Sequence, residues 1–380
     1  MTSWLANLSL IDWWPVRVVL IVPVVVLVAL AVFRARRWYS RTALGVVAFV
    51  VVAANVLAGV NAYYGYFLTL GQAFGVPGAD MVPLARLNSR AVPADGLVVT
   101  IDIPGTTSHF RARPAEVYVP PAWFARPRPR LPVLVLLHGT PGSPMSWIDG
   151  GRVTRTLDVW AAAHGGRAPI VVMPDVNGSL TADTECVDSP VGNAETYLTV
   201  DVPAFVRSRF ATQPPGHGWG LVGYSEGGEC AVMLALRHPT MVGAFADFSG
   251  VDGPRTGSTN EIGDTVAVLF HGSQQDFDNH EPAYLFAHRR FHGAVAGWFA
   301  AGADDGAPTG AARYLATLGP PAGVPTHLVI APGQRHTFYF WSQAFAGALP
   351  WLVARLDSPA HPPPARSSSR LAGQVRHRVG

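Results

Sequence analysis

The residues whose arrangement carries the most chemistry are Gly223-Tyr224-Ser225-Glu226-Gly227, a Gly-x-Ser-x-Gly pentapeptide. It lies between an apolar run, Gly218 to Gly223, and a helical pattern, Ala231 to His238. Strand, tight turn and helix in that order lift a serine hydroxyl clear of the backbone, where it can attack a carbonyl carbon. Gly223 and Gly227 suit such a turn, because side chains there would crowd it and the neighbouring strand. The helix N-terminus favours the negative charge that develops in acyl transfer. The pentapeptide alone is weak, since a Gly-rich loop before a helix reads the same way, so its partners decide.

A serine hydroxyl becomes a nucleophile when a His, oriented by a carboxylate, takes its proton. In parallel-sheet hydrolases with such a serine the chain order is Ser, acid, His. The His is therefore expected after a late strand. Thr326 to Ala331 reads as that strand, and Pro332-Gly333-Gln334-Arg335-His336 follows it, which makes His336 the candidate base. The acid is expected after the preceding strand, Gly297 to Ala301, which runs into Gly302-Ala303-Asp304-Asp305. Asp305 is favoured and Asp304 is the alternative. If Val266 to Phe270 is a strand instead of a helix, Asp276 or Asp278 takes the role. The oxyanion needs two backbone N–H donors. One is Glu226, next after the serine. The other comes from the loop His138-Gly139-Thr140-Pro141-Gly142, where Pro141 cannot donate and Thr140 can. His138 reads as a structural loop residue.

The elements around these residues set the fold class. Gly96 to Pro104 and Ala115 to Pro120 read as strands. Leu131 to Leu137 and Ala168 to Met173 are continuous apolar runs, as strands buried on both faces are. Phe245 to Ser249 is a further short strand. Helical patterns cover residues 153–164, 197–210, 311–318 and 342–356. Antiparallel-looking strands followed by strand–helix alternation predict an α/β class with a mostly parallel sheet flanked by helices.

The composition points to a membrane. Of 380 residues 49% are hydrophobic and only 14% charged, which is apolar for a soluble enzyme. Val18 to Phe33 is an uninterrupted apolar run, and a second extends from Ala43 to about Leu68 with no charge in it. Arg34, Arg36, Arg37 and Arg41 lie between them, and Tyr63, Tyr64, Tyr66 and Phe67 resemble an interfacial aromatic belt. The pair reads as a transmembrane hairpin with a cytoplasmic Arg-rich loop and both termini outside. Two buried core helices, or a second run acting as a signal peptide, are the alternatives. Residues 1–70 are thus two spans, 71–95 an irregular linker, 96–357 the catalytic domain and 358–380 a disordered Pro/Ser/Arg tail.

All 28 basic residues are Arg, a sign of a high-GC bacterial genome. The net charge is +3, and no basic cluster is interleaved with aromatics, so no nucleic-acid partner is expected. Two cysteines without Cys-x-x-Cys spacing make a thiolate zinc site unexpected, and the chemistry above needs no metal or cofactor.

From about residue 96 to 356 the chain resembles the Putative esterase family of α/β-hydrolases, the group of esterase D and the antigen 85 mycolyltransferases. The resemblance rests on His138-Gly139-Thr140, Gly223 to Gly228, Gly302-Ala303-Asp304-Asp305, and Pro332 to His336 followed by Trp341. It implies an α/β-hydrolase fold with a Ser nucleophile, carboxylate, His and oxyanion hole at those positions. It implies substrates from small esters to lipid acyl donors, and an actinobacterial source fits it. In this fold the loop holding Cys186 lies near the active-site edge, and Cys230 lies in the helix after Ser225. A Cys186–Cys230 disulfide is therefore expected in an oxidising compartment, against two unrelated buried thiols. The resulting expectation is a membrane-anchored, extracytoplasmic serine esterase or acyltransferase for lipid or cell-envelope esters. The alternatives are mycolyltransferase-like acyl transfer and a non-catalytic hydrolase-like domain that binds envelope components.

Overall fold

The computed structural model describes residues 8–10, 22–27, 29, 38–76, 79, 81–87, 91–256 and 261–357. Nine strands form one sheet: β1 Met81–Pro83, β2 Leu97–Ile101, β3 Ala115–Val119, β4 Val133–Leu137, β5 Ile170–Met173, β6 Gly216–Tyr224, β7 Val242–Phe248, β8 Ala296–Gly302 and β9 Thr326–Ala331. Their spatial order is β1-β2-β3-β5-β4-β6-β7-β8-β9. Only β3 runs against its neighbours β2 and β5; every other pairing is parallel.

Both faces of the sheet are covered, as the apolar runs require. Alternation along β4 sends Val133, Val135 and Leu137 to one face and Leu134 and Leu136 to the other. The first face packs against α4 (Glu226–Arg237) and α3 (Val202–Arg209) with Val202, Val206 and residues 230–236. The second packs against α2 (Val153–Ala163) and α6 (Phe338–Asp357) through Leu157, Phe345, Leu349 and Leu352. A further helix, α5 (Ala307–Ala322), joins β8 to β9.

The register aligns the carboxyl ends of five strands. Leu137 pairs with Gly223, Tyr224 with Phe248, Phe248 with Ala300, and Gly302 with Ala331. The loops that follow these strands therefore meet at one edge, where open α/β sheets bind ligands.

Two expectations change in detail. The stretch 71–95 holds a short edge strand, β1, parallel to β2. Three residues ending in Pro carry little strand signal, and Pro83 is tolerated because an edge strand can spare a donor. Val266 to Leu269 belong to a helix, Ile262–Leu269, which Phe270 caps, and Asp276 and Asp278 sit on the short helix Gln274–Asp278. The strand reading fails because the run also fits a helix period, which short apolar segments do not resolve.

At the N-terminal side one helix, α1 (Trp38–Tyr64), dominates. Its segment Thr42–Tyr64 is 23 residues long and apolar enough to cross a membrane. At ~1.5 Å per residue that is about 35 Å, more than the ~30 Å hydrocarbon core of a bilayer. Of the first apolar run, residues 22–27 are helical, and most of that run and of the Arg-rich loop lies outside the described residues, so a two-helix hairpin is not seen. The tail 358–380 also lies outside them.

The helix α1 docks on the domain. Gly65 has φ 70° and is buried where a Cβ would strike the Tyr339 ring. The Tyr339 hydroxyl donates to the Ala62 carbonyl at 3.2 Å, and Tyr66 and Ser146 share a hydroxyl hydrogen bond at 3.1 Å. Asn61 ties the following turn to the helix: its amide donates to Phe67 O at 2.8 Å, and its Oδ1 accepts from Phe67 N at 2.7 Å.

Candidate active site

Ser225 is the turn between β6 and α4. Its backbone takes φ 55° and ψ −128°, a conformation that a non-glycine residue adopts at a cost of about 1–3 kcal/mol. The Ser225 N–H donates to Phe248 O of β7 at 2.9 Å, which pins the turn to the neighbouring strand. A Cβ on Gly223 would collide with the Gly227 backbone, and one on Gly227 with Leu137 O. Both glycines are thus demanded by the close approach of strand end and helix start. Gly139 is similar, since its Cβ would lie 2.8 Å from Ser225 Cβ.

The structure brings His336 and Asp305 to this serine. His336 Nε2 and Ser225 Oγ are 2.9 Å apart, and His336 Nδ1 and Asp305 Oδ1 are 2.9 Å apart. The Asp305 side chain is 1% exposed and that of His336 39%, so the acid is sheltered and the imidazole faces the cavity. The two loops meet because Gly302 leaves room for Gln334, whose carbonyl accepts from Asp304 N at 3.0 Å. Asp304 itself is exposed and does not reach His336; nor do Asp276 and Asp278.

Ser249, absent from the sequence-based candidates, completes the line. It follows β7, has φ 61°, and donates its hydroxyl to Asp305 Oδ2. The only local signal is the strand end before it; no motif marks the residue.

The expected oxyanion donors flank Ser225. Glu226 is the first residue of α4, where an N–H has no intrahelical acceptor. Thr140 lies in the wall of the cavity that holds Ser225 and His336. Side chains also link the two residues. The Thr140 hydroxyl donates to Glu226 Oε2, and Asn177 Nδ2 donates to the same oxygen at 2.8 Å. Burial above all, and the nearby charge of Asp183, push the Glu226 carboxyl up to about 8 against the opposing Thr140 and Asn177 bonds. Glu185 and Glu229, behind the elbow, are likewise pushed well up by burial.

The 138–142 loop is held from beneath. Asp175 is fully buried and accepts from Arg113 Nη2 at 2.6 Å and from His138 Nε2 at 3.1 Å. These bonds outweigh desolvation and hold its carboxyl well below the usual range. Arg113 also donates to Gly142 O at 3.0 Å. His138 is thus a fastener of the loop, as its sequence context suggests.

Cys186 and Cys230 are joined by a disulfide, with Cα atoms 5.7 Å apart. The bridge fixes the loop after β5 to α4 one turn beyond the elbow. Around His336 lies an aromatic wall. Trp341 meets the imidazole edge to face at 4.9 Å and stacks on Tyr224 at 4.4 Å, and Phe338 packs on both Tyr224 and Tyr66. Among the described residues no group of three or more His, Cys, Asp or Glu is arranged to hold a metal ion.

The chain is similar to known proteins in sequence and in fold. The family model described as Putative esterase matches residues 107–352. An uncharacterised protein of Corynebacterium glutamicum is 34% identical over 321 residues, covering 80% of this chain and 74% of its own. The MPT51 antigen of Mycobacterium leprae is 31% identical over 124 residues, 33% of this chain and 37% of that one. Among solved structures, a ferulic acid esterase superposes with a TM-score of 0.60 at 20% identity, over 69% of this chain and 99% of that one. The S-formylglutathione hydrolase of Agrobacterium tumefaciens gives 0.58 at 19%, over 70% and 98%. At such identities the structures establish the fold, and the family model establishes the kinship. The chain belongs to the Putative esterase family of α/β-hydrolases and is a serine hydrolase of the carboxylic-ester class.

Proposed function

We propose that the protein is a membrane-anchored, extracytoplasmic serine esterase or acyltransferase acting on lipid or cell-envelope esters. The observation that carries the catalytic assignment is the hydrogen-bonded line Ser225–His336–Asp305, with both contacts at 2.9 Å. In this reading His336 Nε2 takes the Ser225 proton as Oγ attacks the ester carbonyl. Asp305 holds the imidazole in the required tautomer and stabilises the imidazolium. The N–H groups of Thr140 and Glu226 receive the oxyanion, a contribution of about 3–4 kcal/mol per donor in such sites. His336 then returns the proton to the leaving alcohol. Water or a second hydroxyl, deprotonated by His336, resolves the acyl-enzyme to acid or to a new ester.

Location is supported by the apolar span Thr42–Tyr64 and by the disulfide, which persists in oxidising compartments. The Arg residues between the two apolar runs support a hairpin with its loop inside and the domain outside. The partner this implies is a lipid or envelope glycan ester.

A fluorophosphonate probe tests the catalytic assignment on the full chain. Wild-type protein is expected to be labelled, and Ser225→Ala to be blank. Folded but unlabelled wild-type protein would favour the non-catalytic alternative, and full labelling of Ser225→Ala would move the nucleophile elsewhere. Alkaline phosphatase fused after residue 95 tests topology: it is expected to be active, and an inactive fusion beside an active cytoplasmic reporter would reverse the orientation.

A further inference from the structure

An apolar cavity at the candidate active site is built by two parts of the chain, the α/β domain and the apolar helix α1. It measures about 880 Å³, within the range of small-molecule sites. Its floor is the reaction centre, Ser225, His336 and Thr140. One wall is the aromatic group Tyr224, Phe338 and Trp341, and the opposite wall is α1 itself.

The residues that α1 contributes fall on one helix face. Ala54, Leu57, Ala58, Asn61 and Tyr64 line the cavity at spacings of three and four, the period of a single stripe, with Val60 at its margin. From Ala54 to Tyr64 the stripe is about 15 Å long at ~1.5 Å per residue. Ala54 and Ala58 are small and leave the space open, whereas a purely structural helix seam would fill it. Of the two residues of this face with polar atoms, Asn61 has its Oδ1 and one N–H engaged by the backbone of Phe67, and the other is Tyr64 at the end of the helix. Beside Ala58, Leu57 is 69% exposed, so the cavity opens along the flank of the helix, where bilayer acyl chains lie if α1 spans.

We infer that α1 is a wall of the substrate site: the acyl chain of a long-chain ester lies along the Ala54–Ala58 face and enters sideways from the bilayer. This rests on Ser225 being the nucleophile. The occupant is an acyl chain because the cavity is apolar over its length and carries its reactive oxygen at one end. In the acyl-enzyme the carbonyl carbon is bonded to Ser225 Oγ and the chain occupies the cavity, while the leaving alcohol departs with the proton from His336. A short acyl group would leave most of the cavity to be refilled by lipid or water. Each buried methylene is worth about fourfold in transition-state binding.

The test uses the full chain in phosphatidylglycerol-containing nanodiscs. For p-nitrophenyl esters of rising acyl length, kcat/KM is expected to climb about fourfold per methylene until the cavity is full. Ala58→Trp, which occupies the middle of the stripe, is expected to lower the ratio of decanoyl to acetyl kcat/KM at least ~10-fold, the worth of roughly two methylenes. An unchanged ratio overturns the inference. A measurement on the wild-type protein guards against a misfolded variant. A hexadecyl fluorophosphonate with a diazirine at the chain end is attached to Ser225 and photolysed. Crosslinks within residues 54–74 support the inference. Crosslinks confined to the domain beyond residue 95, or to free lipid, refute it. No attachment to Ser225 at all refutes the nucleophile, a separate failure.

Discussion

The Ser249 hydroxyl donates to Asp305 Oδ2, the oxygen that His336 leaves free, so both oxygens of the buried carboxylate are held. One strand end thereby orients the acid of another. Ser249→Ala removes a hydrogen bond to a charged group, worth about 1.5–3 kcal/mol. The expected result is a fall in kcat of about tenfold or more with KM little altered, read by steady-state hydrolysis of a p-nitrophenyl ester. An unchanged kcat would mean that the surrounding loops alone position Asp305.

The two adjacent aspartates separate cleanly. Asp305→Asn leaves shape intact but stabilises neither the tautomer nor the imidazolium, and is expected to cost at least ~100-fold in kcat. Asp304→Asn changes an exposed side chain and is expected to stay near wild-type activity. The reverse ranking would transfer the acid role to Asp304.

Glu226 predicts a pH response. Its carboxyl is pushed up to about 8, so it is neutral at pH 7 and ionises above that value. Its charge would then lie beside the developing oxyanion, with Asp183 adding to the field, and kcat is expected to fall above about pH 8. Glu226→Gln keeps a neutral hydrogen-bonding amide and is expected to flatten that alkaline limb. The stability sign follows from the same shift. The folded state binds the extra proton between the ordinary carboxylate value and about 8, so stability declines as pH rises through that window. Urea titrations across it are expected to show a shallower decline for Glu226→Gln. A variant with wild-type slopes in both measurements would mean that Glu226 titrates normally.

The Cys186–Cys230 bridge spans a sequence separation of 44. In the chain-entropy picture a loop of that size contributes about 4 kcal/mol. The Cys186→Ser/Cys230→Ser pair is expected to lower the denaturation midpoint in urea accordingly, and reductant to do the same to wild type but not to the double variant. Equal midpoints with and without reductant would show that the bridge does not form in solution.

Much of the site is legible in the amino-acid sequence because it follows strand ends in a fixed order. Ser225, the 304–305 aspartates, His336 and the 138–142 loop each terminate an apolar run, and a parallel sheet must bring such ends to one edge. The choice between Asp304 and Asp305 is different. It depends on which way a tight loop turns, and spacing alone leaves both open. Ser249 is invisible because a lone serine after a strand has no signature; its role exists only through a partner 56 residues away. The edge strand Met81–Pro83 escapes because three residues hold too little pattern, and its pairing with β2 supplies what the segment lacks. The contribution of α1 to the cavity is also illegible. A span reads as an anchor from its composition, and nothing in its own residues says what stands beside it.

The clamp at Gly65, Tyr66 and Tyr339 has a mechanical consequence. A domain on a slack leash samples a hemisphere around its tether and meets substrates at many depths. Here the helix end is locked against the domain within a few residues, so helix and reaction centre tilt together as one lever. The serine then keeps a fixed position beside the last turns of the helix. In the proposed membrane-anchored arrangement, selection among esters becomes partly a matter of stature: those whose carbonyl stands level with the serine are presented to it, and taller or deeper ones pass by.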